Sequence, residues 1–450
     1  MNSLPVSRRA FCRSALVTSS LVVAGLPPGA LAVEDRTPTN LRVSHDGHGD
    51  HVEPCLAVNP RDPRNLLAAC NLEGGPPATY SSFDGGRTWR SNGLLPVPAG
   101  IIEGGNLTVG FDGAGRGFVC ALLVALPTAS GAKGLSDSVG VWRTDDGGRT
   151  FSAAVAVSGT GAVDKPSLAT EHRSPNAVHV AWTEGTTPPL TTALNYARST
   201  DGGRTFEAPR TIANDSRGLG DAMVACGHPG SVYVIYHHAG ASVGSSTPRR
   251  TGTRRLESPA TVTVLRSQDG GRTFERPIQL GLTTFSIAFP GTDSDTLPAI
   301  AADPDSGLVC AVFSRHQVGA RHADILLAAS PDGGRTWSPA RAVTPQDQII
   351  YFEPQVAIDS AGRIGVMAFA IAHGKVSVVL MLSEPRSLRF GPPITITNHP
   401  FDPAKSAFGR RWYIGSYQAL ATTPGTFHSL WNDTRTGQLQ LFTAAVQVSM

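Results

Sequence analysis

One nine-residue pattern recurs five times in this chain: SSFDGGRTW at 81–89, RTDDGGRTF at 143–151, RSTDGGRTF at 198–206, RSQDGGRTF at 266–274 and ASPDGGRTW at 329–337. Its aspartates stand at 84, 146, 201, 269 and 332, so the copies lie 55 to 68 residues apart. Such recurrence demands a repeated supersecondary unit. Each copy follows an alternating segment such as LNYARS (194–199) and precedes another such as ERPIQL. Asp-Gly-Gly between two such segments is a hairpin signal, because glycine supplies φ > 0 and aspartate accepts turn N–H groups. The five carboxylates are therefore read as turn locks. The aromatic that closes each copy (Trp89, Phe151, Phe206, Phe274, Trp337) can wedge against a neighbouring sheet.

A second element precedes each turn: a short strand, a turn and a very apolar strand, as in EPCLAVNPRDPRNLLAAC and DKPSLATEHRSPNAVHVAWT. It occurs seven times, beginning near 53, 103, 164, 220, 297, 353 and 416. The sixth copy has SEPRSLRFGPP where the Asp-Gly-Gly turn would be, and the seventh ends after three strands. A unit of four antiparallel strands is a propeller blade. TNLRVSHD (39–46) resembles the outer strands and can supply the missing fourth strand of the last unit. The expected fold is all-β: a seven-bladed β-propeller of four-stranded antiparallel blades, closed by an N-terminal strand, as one domain over 33–450. The runner-up has six blades, with 103–157 as an inserted hairpin. The 49 glycines and 34 prolines suit many short strands better than long helices.

In such a ring the Asp-Gly-Gly turns lie on one face and the blade crossings on the other. Charges at the starts of inner strands and at the ends of second strands would then surround the channel mouth. Six inner strands carry a carboxylate at or just before their start: Glu53, Glu103, Asp164, Asp221, Asp295 and Glu353. Such a ring would raise some pKa values or recruit a divalent cation, unless the acids cap local backbone instead. His237, His238, Arg315, Asp433 and Arg435 fall at second-strand ends, and Arg411, Tyr413 and Tyr417 belong to the last crossing and its strand. The run His45–Glu53 holds three histidines and three acids, in a spacing that matches no defined metal motif and suits a solvated loop. The segment 241–257 reads as a surface insertion.

The repeated turn resembles the Asp box, or BNR repeat, of bacterial sialidase-like β-propeller proteins. The last unit is also similar to theirs, at Gly415-Ser416-Tyr417-Gln418-Ala419-Leu420 and Trp431-Asn432-Asp433-Thr434-Arg435, with Ser416 in place of an acid. The resemblance spans essentially the whole chain beyond residue 32. It implies a glycoside hydrolase with three arginines on the substrate carboxylate, a tyrosine nucleophile activated by a glutamate, and an acid/base aspartate. Residues on the expected face supply candidates. Arg315, Arg411 and Arg435, with His237 and His238, would bind substrate; Tyr413 or Tyr417 with Glu353, and Asp433, would be catalytic. The Arg-Ile-Pro signature of the first arginine is absent, and Arg363-Ile364-Gly365 falls on the opposite face. The alternative is a non-catalytic propeller that binds a glycan or protein partner. Neither requires a cofactor.

Residues 1–32 read as a twin-arginine-type signal peptide, with Ser7-Arg8-Arg9-Ala10-Phe11, an apolar stretch and Ala30-Leu31-Ala32, so a periplasmic or secreted location is expected. Three arginines of that segment account for the net charge of +3. The remainder is neutral and has no basic field for nucleic acid. No later stretch is long and apolar enough for a membrane span. Five cysteines remain beyond it, too few for a disulfide framework, although Cys55 and Cys70 could face each other across a hairpin.

Overall fold

A computed structural model describes residues 38–125, 137–186, 191–216, 218–238, 259–284, 286–289, 292–316, 322–406 and 413–448. The fold is an all-β propeller. The first sheet comprises His51–Val58, Leu66–Leu72, Ala78–Ser82 and Arg90–Leu94, and its neighbour Ile101–Phe111, Gly117–Ala125, Ser138–Thr144 and Val155–Ala156. Two more follow over 162–215 and 219–284, each four-stranded and antiparallel in chain order. In the last sheet Leu41–Arg42 pairs with Gln440–Gln447, outside Thr426–Asp433 and Ala419–Thr423. The N-terminal strand thus closes that sheet.

The number of separate four-stranded sheets corrects the expectation of seven, and of six: among the described residues there are five. The units at 299–342 and 350–395 are merged into one eight-stranded sheet, because Ala323 pairs in parallel with Ile350. Each half keeps its antiparallel order. Residues 101–156 form a full sheet rather than an inserted hairpin. A two-stranded hairpin, Ser286–Phe289 with Thr292–Asp295, precedes the eight-stranded sheet.

The Asp-Gly-Gly turns show why the pattern repeats. In the turn at 201, Asp201 Oδ1 accepts from the N–H groups of Arg204 and Thr205 at 3.0 Å each, and Oδ2 accepts from Thr205 Oγ1 at 2.6 Å. Ser199 Oγ accepts from Gly203 N at 2.9 Å. These bonds hold the Asp201 carboxyl down at about 2, outweighing its desolvation. In the turn at 269 the second glycine has no room for a side chain: a Cβ on Gly271 would stand 1.8 Å from Tyr196 Oη of the preceding sheet. The first glycine's carbonyl takes a donor from the preceding sheet, as Arg198 Nη1 to Gly270 O (2.7 Å) and Tyr233 Oη to Gly333 O (3.0 Å). The closing aromatics pack against that sheet too, Phe274 beside Tyr196 and Trp337 beside Tyr233. Each turn therefore joins two sheets.

The five cysteines at 55, 70, 120, 226 and 310 are buried and free. The pairing of Cys55 with Cys70 fails on register. Cys55 stands opposite Ala69, and Cys70 is one residue further, which turns it to the other face of the sheet. Cys55 packs with Leu67 and Ala69, and Cys70 with Leu66 and Ala68.

Candidate active site

Five of the innermost strands carry a register shift near their start, between Val52 and Cys55, Gly105 and Thr108, Asp164 and Ser167, Gly220 and Met223, and Phe352 and Gln355. Each bulge holds one residue in the left-handed region: Glu53 (φ 55°), Asn106 (50°), Lys165 (48°), Asp221 (54°) and Glu353 (49°). For residues with a Cβ this conformation costs roughly 1–2 kcal/mol apiece. The positions are equivalent, and every occupant is polar or charged.

Glu53, Asn106, Lys165 and Asp221 each meet residues of the last crossing or of neighbouring strands, Asn106 Nδ2 donating to Asp164 Oδ1 at 2.8 Å. Glu53 is buried; its Oε2 accepts from Asn71 Nδ2 at 2.5 Å and its Oε1 from Tyr413 Oη at 2.6 Å. Tyr413 Oη also shares a 2.6 Å hydrogen bond with Ser416 Oγ. Lys165 Nζ lies 3.5 Å from both Glu53 Oε1 and Ser416 Oγ, and 5.8 Å from the centre of the Tyr417 ring. Burial pushes the Glu53 carboxyl up, but the Lys165 charge and the bonds from Tyr413 and Ser416 outweigh it and hold it below its ordinary value. Glu53 is thus an ionised carboxylate against a phenol.

Asp221 behaves in the opposite way. It is buried, and burial, reinforced by Asp164 and Glu53 and opposed by Lys165, pushes its carboxyl up to about 7. Its Oδ2 stands 3.4 Å from Nδ1 of the buried His237. Gly220 makes room for that ring, since a Cβ there would meet it at 2.7 Å. Asp221 is therefore a carboxyl able to hold a proton near neutrality beside a carboxylate that is not.

The other expected site residues are distributed as follows. Tyr417 is buried, its Oη donates to Leu107 O (3.1 Å), and burial pushes its phenol well up, which fits a structural role rather than that of a nucleophile. Glu353 occupies its bulge fully buried, with its N–H donating to Thr296 Oγ1 at 2.9 Å; the carboxylate that Tyr413 meets is Glu53. Asp433 and Arg435 serve each other: Asp433 is fully buried and accepts from Arg435 N (2.8 Å), Nε (2.9 Å) and Nη2 (2.6 Å). Arg435 also donates to Asn398 and Asn40 and lies 4.4 Å from the Phe442 ring centre. Arg315 pairs with Asp324 at 3.2 Å, and His238 with Asp215 at 3.0 Å. Arg315 and Arg435 are thus committed to different partners, and Arg411 lies outside the described residues.

Lys165 and Asn106 interrupt the expected ring of acids. Among the described residues no three His, Cys, Asp or Glu side chains are grouped to hold a metal ion. In the histidine-rich run, Asp46 accepts from Tyr80 Oη and His48 N and lies 3.3 Å from His51 Nε2, while Asp50 accepts from Leu439 N. That run ties the closing strand to the ring. Sequence reasoning placed Glu53 and Asp221 at the mouth but missed the Tyr413–Glu53 pair, Asn71 and Lys165. One signal was available for Lys165: a charged residue before proline recurs in Glu53-Pro54, Lys165-Pro166 and Glu353-Pro354.

No family model matches the chain, and no curated protein matches it. Among solved structures it is similar to an ulvan lyase from a new family of polysaccharide lyases, at a TM-score of 0.53 and 13% identity, over 89% of this chain and 94% of that one. It also resembles an α-L-arabinofuranosidase of Fusarium graminearum (TM-score 0.49, 14% identity, 77% of this chain and 97% of that one). A Hadza microbial sialidase gives 0.47 at 14% identity, over 85% and 73%. At these identities the likeness to the ulvan lyase is one of fold. Among the described residues no helix is long and apolar enough to cross a membrane.

Proposed function

We propose that this chain is an exported, sialidase-like Asp-box propeller that hydrolyses a glycan bearing an anionic sugar at the channel mouth. The supporting observation is Tyr413 Oη held 2.6 Å from the buried, ionised Glu53. In this reading Tyr413 Oη attacks the anomeric carbon as its proton passes to Glu53. The glycosidic C–O bond breaks, and Asp221 gives its proton to the departing oxygen. Water then attacks the anomeric carbon, its proton returns to Asp221, and Glu53 reprotonates the released phenolate. A neutral phenol suits an anionic sugar, because a carboxylate nucleophile would be repelled by it. Lys165, 3.5 Å from Glu53 Oε1, supplies the attraction that an arginine triad would give elsewhere.

Mutual saturation of the cluster supports a second reading, a non-catalytic propeller that binds a glycan or protein partner. Both Glu53 oxygens already have donors. The two readings separate in one assay of the purified chain against a fluorogenic sialoside, a uronide and a panel of aryl glycosides. Hydrolysis that falls at least 100-fold in Tyr413→Phe, with the fold intact, is expected. Turnover unchanged in that variant, or absent on every substrate, overturns the enzymatic reading. Glycan binding without turnover would establish the second.

A further inference from the structure

Asp221 and His237 stand on the paired strands Leu219–Cys226 and Val232–His238, and both are buried, at 4% exposure each. Asp221 Oδ2 lies 3.4 Å from His237 Nδ1 and has no hydrogen-bond partner among the described residues. A buried carboxyl oxygen without a donor is unfavourable, and contacts of this length commonly tighten once a site is filled. Two backbone features bring the ring there. Asp221 adopts φ 54° in its bulge. Gly220 stands opposite His237 in register, and a Cβ on it would meet ring atoms Cε1 and Nε2 at 2.7 Å. His238, one residue further, turns to the other face of the sheet and pairs with Asp215.

We infer that His237 is a positioning residue for Asp221, donating its Nδ1–H to Oδ2 so that the proton delivered to substrate sits on Oδ1. This deepens the hydrolytic reading above and rests on it. When Oδ1 gives its proton to the departing oxygen, the negative charge left on the carboxylate is met by the Nδ1–H, which stays on the ring. When water attacks, its proton returns to Oδ1. The imidazole remains neutral throughout and touches no reacting atom. Its donor favours the ionised carboxyl, as the Lys165 charge does, against burial and the charges of Asp164 and Glu53. Loss of that donor therefore raises the pH at which Asp221 gives up its proton.

Three variants of the whole purified chain separate this role from a merely structural one. His237→Leu removes the donor, His237→Asn keeps an N–H near the place of Nδ1, and Gly220→Ala displaces the ring without altering it. One readout is the pH profile of hydrolysis. The other is urea stability against pH, taken for each variant as the difference from the same variant carrying Asp221→Asn. In His237→Leu, kcat is expected to fall about tenfold or more with KM little changed. The alkaline limb of the profile and the stability window should both move up by about one pH unit. Gly220→Ala should move them the same way, and His237→Asn should return them. If His237→Leu fails to fold, the other two variants decide. A window that stays in place when the ring is removed or displaced overturns the inference, whatever the activity. If the unaltered chain hydrolyses nothing while the window moves, the hydrolytic reading falls and the coupling of His237 to Asp221 stands.

Discussion

At the scale of single residues, the mouth of this propeller sorts its carboxyl groups by environment. Glu53 stays ionised because Lys165, Tyr413 and Ser416 outweigh its burial, whereas Asp221 holds its proton up to about 7 because burial, Asp164 and Glu53 outweigh Lys165. A group whose native pKa is raised binds more protons folded than unfolded between the two values. Its favourable contribution is complete below about pH 4 and is lost as pH rises through about 7. Asp221 faces Lys165, Asp164, Glu53 and His237, so their charges modulate the same window. Stability measured by urea should fall from pH 5 to 8 in the unaltered chain and stay flatter in Asp221→Asn. The difference should reach up to about 4 kcal/mol at pH 8. Parallel curves would show that Asp221 is already ionised in the native state. At this scale the sequence was only partly legible. The carboxylates at strand starts could be named from their alignment, but which one meets Tyr413 depends on bulges that put five residues at positive φ, and no local pattern announces those. Asp433 and Arg435, two residues apart at a strand end, bond to one another, a pairing that strand alignment alone does not announce.

At the scale of the element, the repeated turn is where sequence and structure agree most closely. Every feature that made the pattern conspicuous has a local job: aspartate as acceptor, glycines for positive φ and close approach, threonine as hydroxyl donor, an aromatic for the adjoining sheet. Such consistency makes a motif legible without tertiary information. Asp201→Ala would leave the N–H groups of Arg204 and Thr205 without their acceptor at the rim. The expected cost is about 1–2 kcal/mol, read as a lower urea midpoint, with the glycan binding proposed for the opposite mouth unchanged. An equal loss of binding would mean that the turns act at the site. The sixth unit shows the motif is replaceable: Arg386 adopts φ 51° there, and its N–H donates to Gly362 O at 2.9 Å.

At the scale of the whole molecule, a ring of repeated antiparallel units was readable, but the count of seven was not borne out, because the grouping of the strands into sheets was not legible. Whether two neighbouring units count as one sheet turns on the single parallel pair of Ala323 and Ile350, a contact between segments that are each unremarkable in composition. Closure by the N-terminal strand was readable, since 39–46 looks like an outer strand without a unit of its own. Arg435 is part of that closure. It links buried Asp433 to Asn40 beside the closing strand, and Asn40 in turn reaches Ile396 O at 2.9 Å. Arg435→Ala leaves a buried carboxylate without its cation, a loss of about 3–5 kcal/mol. The expected outcome is a clear drop in Tm, with any hydrolysis found in the assay proposed above unchanged per folded molecule. A stable variant that has lost activity would instead restore Arg435 to the site.

The pairing of Leu41 with Thr443 also imposes an order in time. A ribosome delivers the first of these residues some 400 positions before the second, so the earliest strand to emerge must wait for the last. Bringing such distant segments together costs on the order of 5 kcal/mol of chain entropy, recovered only when the final hairpin is complete. Until then the growing chain is an open arc with exposed strand edges, a form prone to association with other chains. Ring closure therefore waits on the strand Gln440–Gln447, and a chain cut short before it would leave synthesis as that arc.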